Sequence, residues 1–216
     1  MAKIPGGITS RPSGKLGNII FGAARTPEGK VATAREAVDP SNPNTPEQAA
    51  QRSKFRQALT VVQRIGPSIY QEDWNRSVGQ LPGFQSWQSI LLNNIDANDR
   101  LQPPPDRPLG SLHFPDSTSA SAGSRATEID VTWSSETGPD GTPQDEVYLI
   151  AIESEQPSGR DRDVVTSEGQ DLRSTGSITL GVSQASTDYV ICLYLVGQAG
   201  ADGLLSKATF SEATSG

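Results

Sequence analysis

A single cysteine, a single histidine and a 6% share of aromatics leave this 216-residue chain short of the side chains on which most catalytic and metal chemistry depends. Cys192 has no partner for an intramolecular disulfide, and no Cys/His cluster exists for zinc. Its setting, Val190-Ile191-Cys192-Leu193-Tyr194, is that of a buried thiol acting as a small hydrophobe. A nucleophile-base-acid triad would have to use His113, in Leu112-His113-Phe114 beside a run of prolines, and that setting reads as non-catalytic. No loop has calcium-ligand spacing and there is no Gly-Lys-Ser/Thr phosphate loop. Ser13-Gly14-Lys15-Leu16-Gly17-Asn18 lacks the preceding strand and following helix that such a loop needs, so its glycines read as turns. Asp161 with Asp163, and Asp145 with Glu146, fall in turn-like segments and read as solvated side chains rather than a paired-carboxylate site. No stretch approaches the roughly 20 apolar residues of a membrane span, and Met1 to Gly7 lacks the apolar run of a signal peptide. The expectation is a protein made in the cytoplasm, without cofactor, metal, membrane partner or enzymatic activity.

What is present is punctuation and charge. With 21 Gly and 16 Pro and only 34% hydrophobic residues, the chain suits short strands, turns and arms better than one large core, and the fold class reads as mainly β with a small α region. The net charge of -7 is unevenly spread: residues 1–100 carry 12 Lys+Arg against 8 Asp+Glu, and residues 101–216 carry 6 against 17. A basic front and an acidic back can steer head-to-tail contact between copies, or set the front against another acidic surface.

Residues 1–44 have no helical period. Leu16 to Phe21 and Lys30 to Ala34 flank a turn signal at Thr26-Pro27-Glu28-Gly29, which predicts a short β-hairpin on an extended arm, marginal in water on its own. A helical region spans 45–98. Thr45 can cap a helix, Pro46 suits its first position and Gln48 completes a capping box, so a helix starts here and ends at Gly66-Pro67. Phe55, Ala58, Leu59, Val62 and Ile65 form its predicted apolar stripe. A second helix is predicted from about Ile69 to Val78 and a third carries Phe84, Trp87, Leu91 and Ile95. Together they would bury Phe55, Trp74, Phe84 and Trp87 as one aromatic core leaning on the arm, the sandwich or a neighbouring subunit.

Pro103-Pro104-Pro105 and Pro108 make 99–110 a stiff extended connector, and 111–216 reads as an immunoglobulin- or fibronectin-like β-sandwich. Glu128 to Trp133 alternates as a half-buried strand, with Trp133 in the core. Glu146 to Glu153 and Tyr189 to Val196 are continuous enough in Val, Ile, Leu and Tyr to be covered on both faces. Ser111 to Phe114, Asp163 to Thr166, Ser177 to Val182 and Leu204 to Phe210 complete about seven strands.

Lys15, Phe21, Arg25, Arg35, Arg52 and Arg56 are the candidate interaction residues, for acidic protein surface rather than nucleic acid, since no nucleic-acid motif accompanies them. Gly14-Lys15-Leu16-Gly17-Asn18, followed by Asn42-Pro43-Asn44-Thr45-Pro46-Glu47-Gln48 and the Gly83-Phe84-Gln85-Ser86-Trp87 segment, resembles a family of phage- and prophage-encoded virion-associated proteins abundant in Bacteroidetes. Those proteins pair a Gly-Lys-x-Gly-Asn arm with an Asn-Pro-x-Thr-Pro-x-Gln helix start. The resemblance implies a virion structural protein assembled in the host cytoplasm, present in multiple copies and bound to other virion proteins. It implies no catalytic residues. A capsid decoration, cement or minor capsid component is the leading expectation. The alternative is a tail or surface adhesion module that binds a host receptor or glycan through sandwich loops at Thr137 to Pro143 and Gln156 to Arg162.

Overall fold

Two antiparallel sheets follow from the alternation of the C-terminal half. The computed structural model describes residues 14–16, 18–26, 29–37, 44–69, 74–75, 82–115, 117–198 and 204–216. The chain divides into the units Met1–Thr45 and Pro46–Gly216. The first holds β1 (Gly14–Leu16), β2 (Ile19–Thr26) and β3 (Gly29–Glu36), paired antiparallel in the order β1-β2-β3. The predicted hairpin is therefore present and extended by a third strand, while its turn residues 27–28 lie outside the described residues.

In the second unit, β4 (Thr118–Ala122), β5 (Glu128–Trp133) and β8 (Ser177–Gly181) make one sheet in the order β4-β5-β8. β6 (Glu146–Glu153), β7 (Val164–Leu172), β9 (Asp188–Val196) and β10 (Thr209–Thr214) make the other, in the order β10-β9-β6-β7. The first, second and fifth strands of the domain thus face the seventh, sixth, third and fourth, which is a fibronectin-like sandwich. Period-2 alternation sends Ile129, Val131 and Trp133 inward to meet Val147, Leu149, Ala151, Tyr189, Ile191, Leu193 and Leu195. Tyr189, at the start of β9, donates to Asp163 Oδ2 at 3.0 Å and accepts from the Gln184 amide five residues upstream, the corner that ties such a strand to the loop before it.

The opposite side chains of β6 and β9 explain why those strands have no polar face. Ile150, Ile152, Val190, Cys192, Tyr194 and Val196 point out of the sandwich into a second core, built against helices. Helix α1 (Pro46–Ile65) starts at its proline, with Glu47 in the first turn and Arg64 in the last, and stops before Gly66 at φ 93°. Helix α2 (Gly83–Asn94) has its first amide bound by Asn75 Oδ1 at 2.5 Å. Ala58, Val61, Val62 and Ile65 of α1 and Trp87, Ile90 and Leu91 of α2 lie on the sheet, with Trp74 and Trp87 rings 4.6 Å apart between centroids and Trp87 edge-on to Phe210 of β10. The helical region and the sandwich therefore share one core.

Several expectations are corrected. Phe55 does not join the aromatic core: it is 48% exposed, and α1 turns Val61 inward instead. Phe84 is half-buried at the core's margin, and most of the predicted second helix lies outside the described residues. The proline segment is extended but does not hold two bodies apart. Leu101 and Leu109 are buried in the helix-sheet core, Arg107 exchanges backbone hydrogen bonds with Ala208 at 2.8 and 2.7 Å, and the Leu101 amide reaches the Ser154 carbonyl at 2.6 Å. The first sandwich strand is 118–122 rather than 111–114, where Leu112 makes only an isolated bridge, and the last is 209–214.

Candidate functional site

The six candidate interaction residues divide between the two units. In the first unit, register places Lys15 and Arg35 on either side of Ile20, in one row across β1, β2 and β3. Phe21 and Arg25 occupy the alternate register positions of β2, Arg25 directly opposite Lys30. Ile19 is 46% exposed and Phe21 is half-buried; none of the described residues of this unit whose burial is defined is buried.

In the second unit, Arg52 and Arg56 project from the face of α1 opposite the core. With Gln48, Gln51, Phe55 and Leu59 they line one open depression, a row set by helical spacing. Phe55 is the exposed apolar centre of that row, next to Arg56 in sequence and three residues, about one helical turn, from Arg52.

The sandwich ends are fixed by two buried arginines that sequence reasoning did not single out. At the β5–β6 end, Arg173 is fully buried, pairs with Asp145 at 3.0 Å, donates to the His113 carbonyl at 2.8 Å, and its own carbonyl accepts from Trp133 Nε1 at 2.9 Å. Asp145 in turn accepts from the Thr142 amide and hydroxyl at 2.9 and 2.8 Å, closing the loop. At the β6–β7 end, Arg160 binds Glu153 with both Nη atoms at 2.7 and 2.6 Å, while Arg162 is buried under α1. In both cases the arginine lies in a segment that reads as a polar turn or strand end, so only tertiary packing reveals its burial.

The 137–143 and 156–162 loops leave opposite ends of the eight-residue strand β6, roughly 25 Å apart at the usual rise, and cannot form one binding surface.

Among the described residues no group of His, Cys, Asp or Glu could hold a metal ion. Cys192 is completely buried, and burial pushes its thiol well above the ordinary value, so it stays protonated and unreactive in the folded state. His113 packs its ring against Gly138, whose φ of 61° and lack of a Cβ leave room for it.

No protein-family model matches the chain, and no curated protein matches it. Among solved structures, a Fn3-like protein from Clostridium thermocellum is similar at 16% identity over 49% of this chain and 92% of its own, with a TM-score of 0.30. The fibronectin type-III domain of human fibronectin type III domain containing protein 3 is similar at 19% identity over 49% of this chain and 89% of its own, also at 0.30. At these scores the likenesses carry no weight of their own, and the sandwich rests on its strand order and its two-sided core.

Proposed function

We propose that this chain is a structural protein of a bacteriophage virion, a capsid decoration, cement or minor capsid component, held to neighbouring subunits by Met1–Thr45 with its sandwich displayed outward. The observation that carries the reading is that β1, β2 and β3 pair into a sheet of their own, in which none of the described residues whose burial is defined is buried. Three strands need an apolar face covered by something, and exposed Ile19 and half-buried Phe21 stand at alternate positions of β2 on such a face. The charge balance supports a protein partner. Met1–Thr45 carries 6 Lys+Arg against 3 Asp+Glu, and Pro46–Gly216 carries 12 against 22, so the arm of one copy is attracted to the acidic body of another. The resemblance of the arm and helix start to phage virion-associated proteins points the same way. On this reading the chain acts by assembly in the host cytoplasm and residence in the particle, in multiple copies, without cofactor or catalysis. Deleting residues 1–40 should abolish incorporation into particles while the remaining unit keeps its folding transition; normal incorporation would refute the proposal.

A second reading, a tail or surface module that binds a host receptor or glycan, is favoured by one observation: the 154–163 loop is held rigid by the Glu153–Arg160 pair and by Gln156 Nε2 donating to the Arg160 carbonyl at 3.0 Å. Rigid loops on a sandwich commonly bind. Binding of the full chain to host envelopes, lost on Gln156→Ala with Ser158→Ala, would favour it over the first.

A further inference from the structure

Strand β3 is the longest regular edge among the described strands. It pairs with β2 over all 8 residues, from Ile19↔Glu36 to Thr26↔Gly29, without a register shift, and no described strand pairs with its other side. β7 is also a long edge, but its ladder with β6 is broken by a register shift at Val147/Tyr148. β1, β4, β8 and β10 span only 3, 5, 5 and 6 residues. A long edge without a bulge or a proline is a template on which another chain adds its own backbone. Ala34, Arg35 and Glu36 of this one are exposed.

One hydrogen bond fixes which backbone groups face outward. The Ala37 amide donates to the Asn18 carbonyl at 2.6 Å, and these two residues continue the β2–β3 register. Antiparallel ladders alternate bonded with non-bonded pairs, so Val31, Thr33 and Arg35 turn their amides and carbonyls toward β2. Those of Lys30, Ala32, Ala34 and Glu36 point away from it. For two copies related by a two-fold axis, one antiparallel register uses all of these outward residues: Lys30 against Glu36, Ala32 against Ala34, and the same pairs repeated across the axis. Sliding by one residue breaks the alternation, and sliding by two in either direction leaves one outward residue of each strand unmatched. The same register sets opposite charges face to face at both ends and places Thr33 opposite its own copy at the axis, both favourable cross-strand combinations.

We propose that the free edge of β3 is a self-association site, at which a second copy of this chain pairs antiparallel through its own β3 and joins two three-stranded sheets into one. The pairing occupies the edge of the sheet and leaves the Ile19 and Phe21 face for another protein, so it goes beyond the virion reading and does not require it. Edge pairing buries little apolar area, so the dimer is weak and forms only as the chain concentration rises.

The test uses full-length variants, each with one new cysteine, under mild oxidation; Cys192 is buried and stays out of the reaction. Facing residues of a non-bonded pair lie about 4.5 Å apart between Cα atoms, within disulfide range, so Thr33→Cys should yield a covalent dimer. Arg35→Cys should remain monomeric, because two copies of position 35 lie roughly 13 Å apart in this register, yet it should cross-link when mixed with Val31→Cys, which it faces. Sedimentation of the chain without added cysteine provides the second readout. Lys30→Glu should raise the dimer dissociation constant on the order of tenfold, since two symmetry-related pairs turn from attractive to repulsive, and Lys30→Glu with Glu36→Lys should restore it. Within one chain position 30 stands opposite Arg25, so the single variant does not weaken the β2–β3 pair. No covalent dimer from Thr33→Cys, equal cross-linking by Arg35→Cys alone, or failure of the charge swap to restore association overturns the proposal. None of these readouts involves a particle, so they are independent of the incorporation experiment.

Discussion

Trp87→Ala tests whether the helices and the sandwich are one cooperative body. Trp87 is fully buried on α2, its ring 4.6 Å from Trp74 and 6.2 Å from Phe210 of β10, so it joins helix to helix and helix to sheet. Truncating a buried tryptophan removes its transfer free energy and leaves a cavity, together about 3–5 kcal/mol. For a unit of this size each kcal/mol corresponds to roughly 2–4 °C, so the melting temperature should fall by about 6–20 °C. The assay is a urea series of nitrogen-15 spectra that follows Ala58 and Val62 on α1 separately from Ile129 and Val131 on β5, whose buried residues belong to the other core. Because β6 and β9 carry one core on each face, both sets of signals should shift to the same lower midpoint. If the helix signals are lost early while Ile129 and Val131 keep the wild-type midpoint, the shared-core account is wrong.

Three further outcomes follow from named side chains. Asp145→Ala should destabilise the Pro46–Gly216 unit by about 3–5 kcal/mol in urea denaturation, because it leaves Arg173 buried without its counter-charge, and Asp145→Ala with Arg173→Met should recover part of that loss. Burial first, and then the Asp163 carboxylate, hold the Tyr189 hydroxyl well above its ordinary value of about 10. The folded state therefore keeps a proton that the unfolded state loses. Stability from this group is intact below pH 10 and should fall as pH rises above it, a slope that Tyr189→Phe should reduce in denaturation measured from pH 8 to 11. Cys192 should react with a thiol reagent only at the rate of global unfolding, since burial both covers it and keeps it protonated; fast labelling of the native chain would contradict its place in the core.

The most legible elements were those whose side chains carry a periodic or continuous apolar signal. The bounds of β5 and β6 agree with the pattern of Glu128 to Trp133 and Glu146 to Glu153, and the unbroken apolar run of β9 does signify cover on both faces. What covers the outer face was not legible, because no local pattern tells a helix which sheet it will meet. The capping signals at Thr45-Pro46 locate the start of α1, yet Phe55 looks as apolar as Val61 in sequence and only the sheet decides which is buried. β4 is Thr-Ser-Ala-Ser-Ala, an edge strand with no large side chain, and it leaves no trace for periodicity to find. The burial of Arg162 was not legible either, since an arginine in Gly159-Arg160-Asp161-Arg162 reads as a solvated turn until α1 is laid over it.

The claim on which the functional reading depends is that Met1–Thr45 gains its order from other proteins rather than from its own core. Amide hydrogen exchange on the free chain and on the assembled particle measures this directly, residue by residue through β2 and β3. The account predicts exchange close to the unprotected rate at 19–26 and 29–36 in the free chain, beside strong protection in β6 and β9, and protection of the arm once it is in the particle. Arm amides as protected as those of β9 in the free monomeric chain, or still unprotected in the particle, would contradict it.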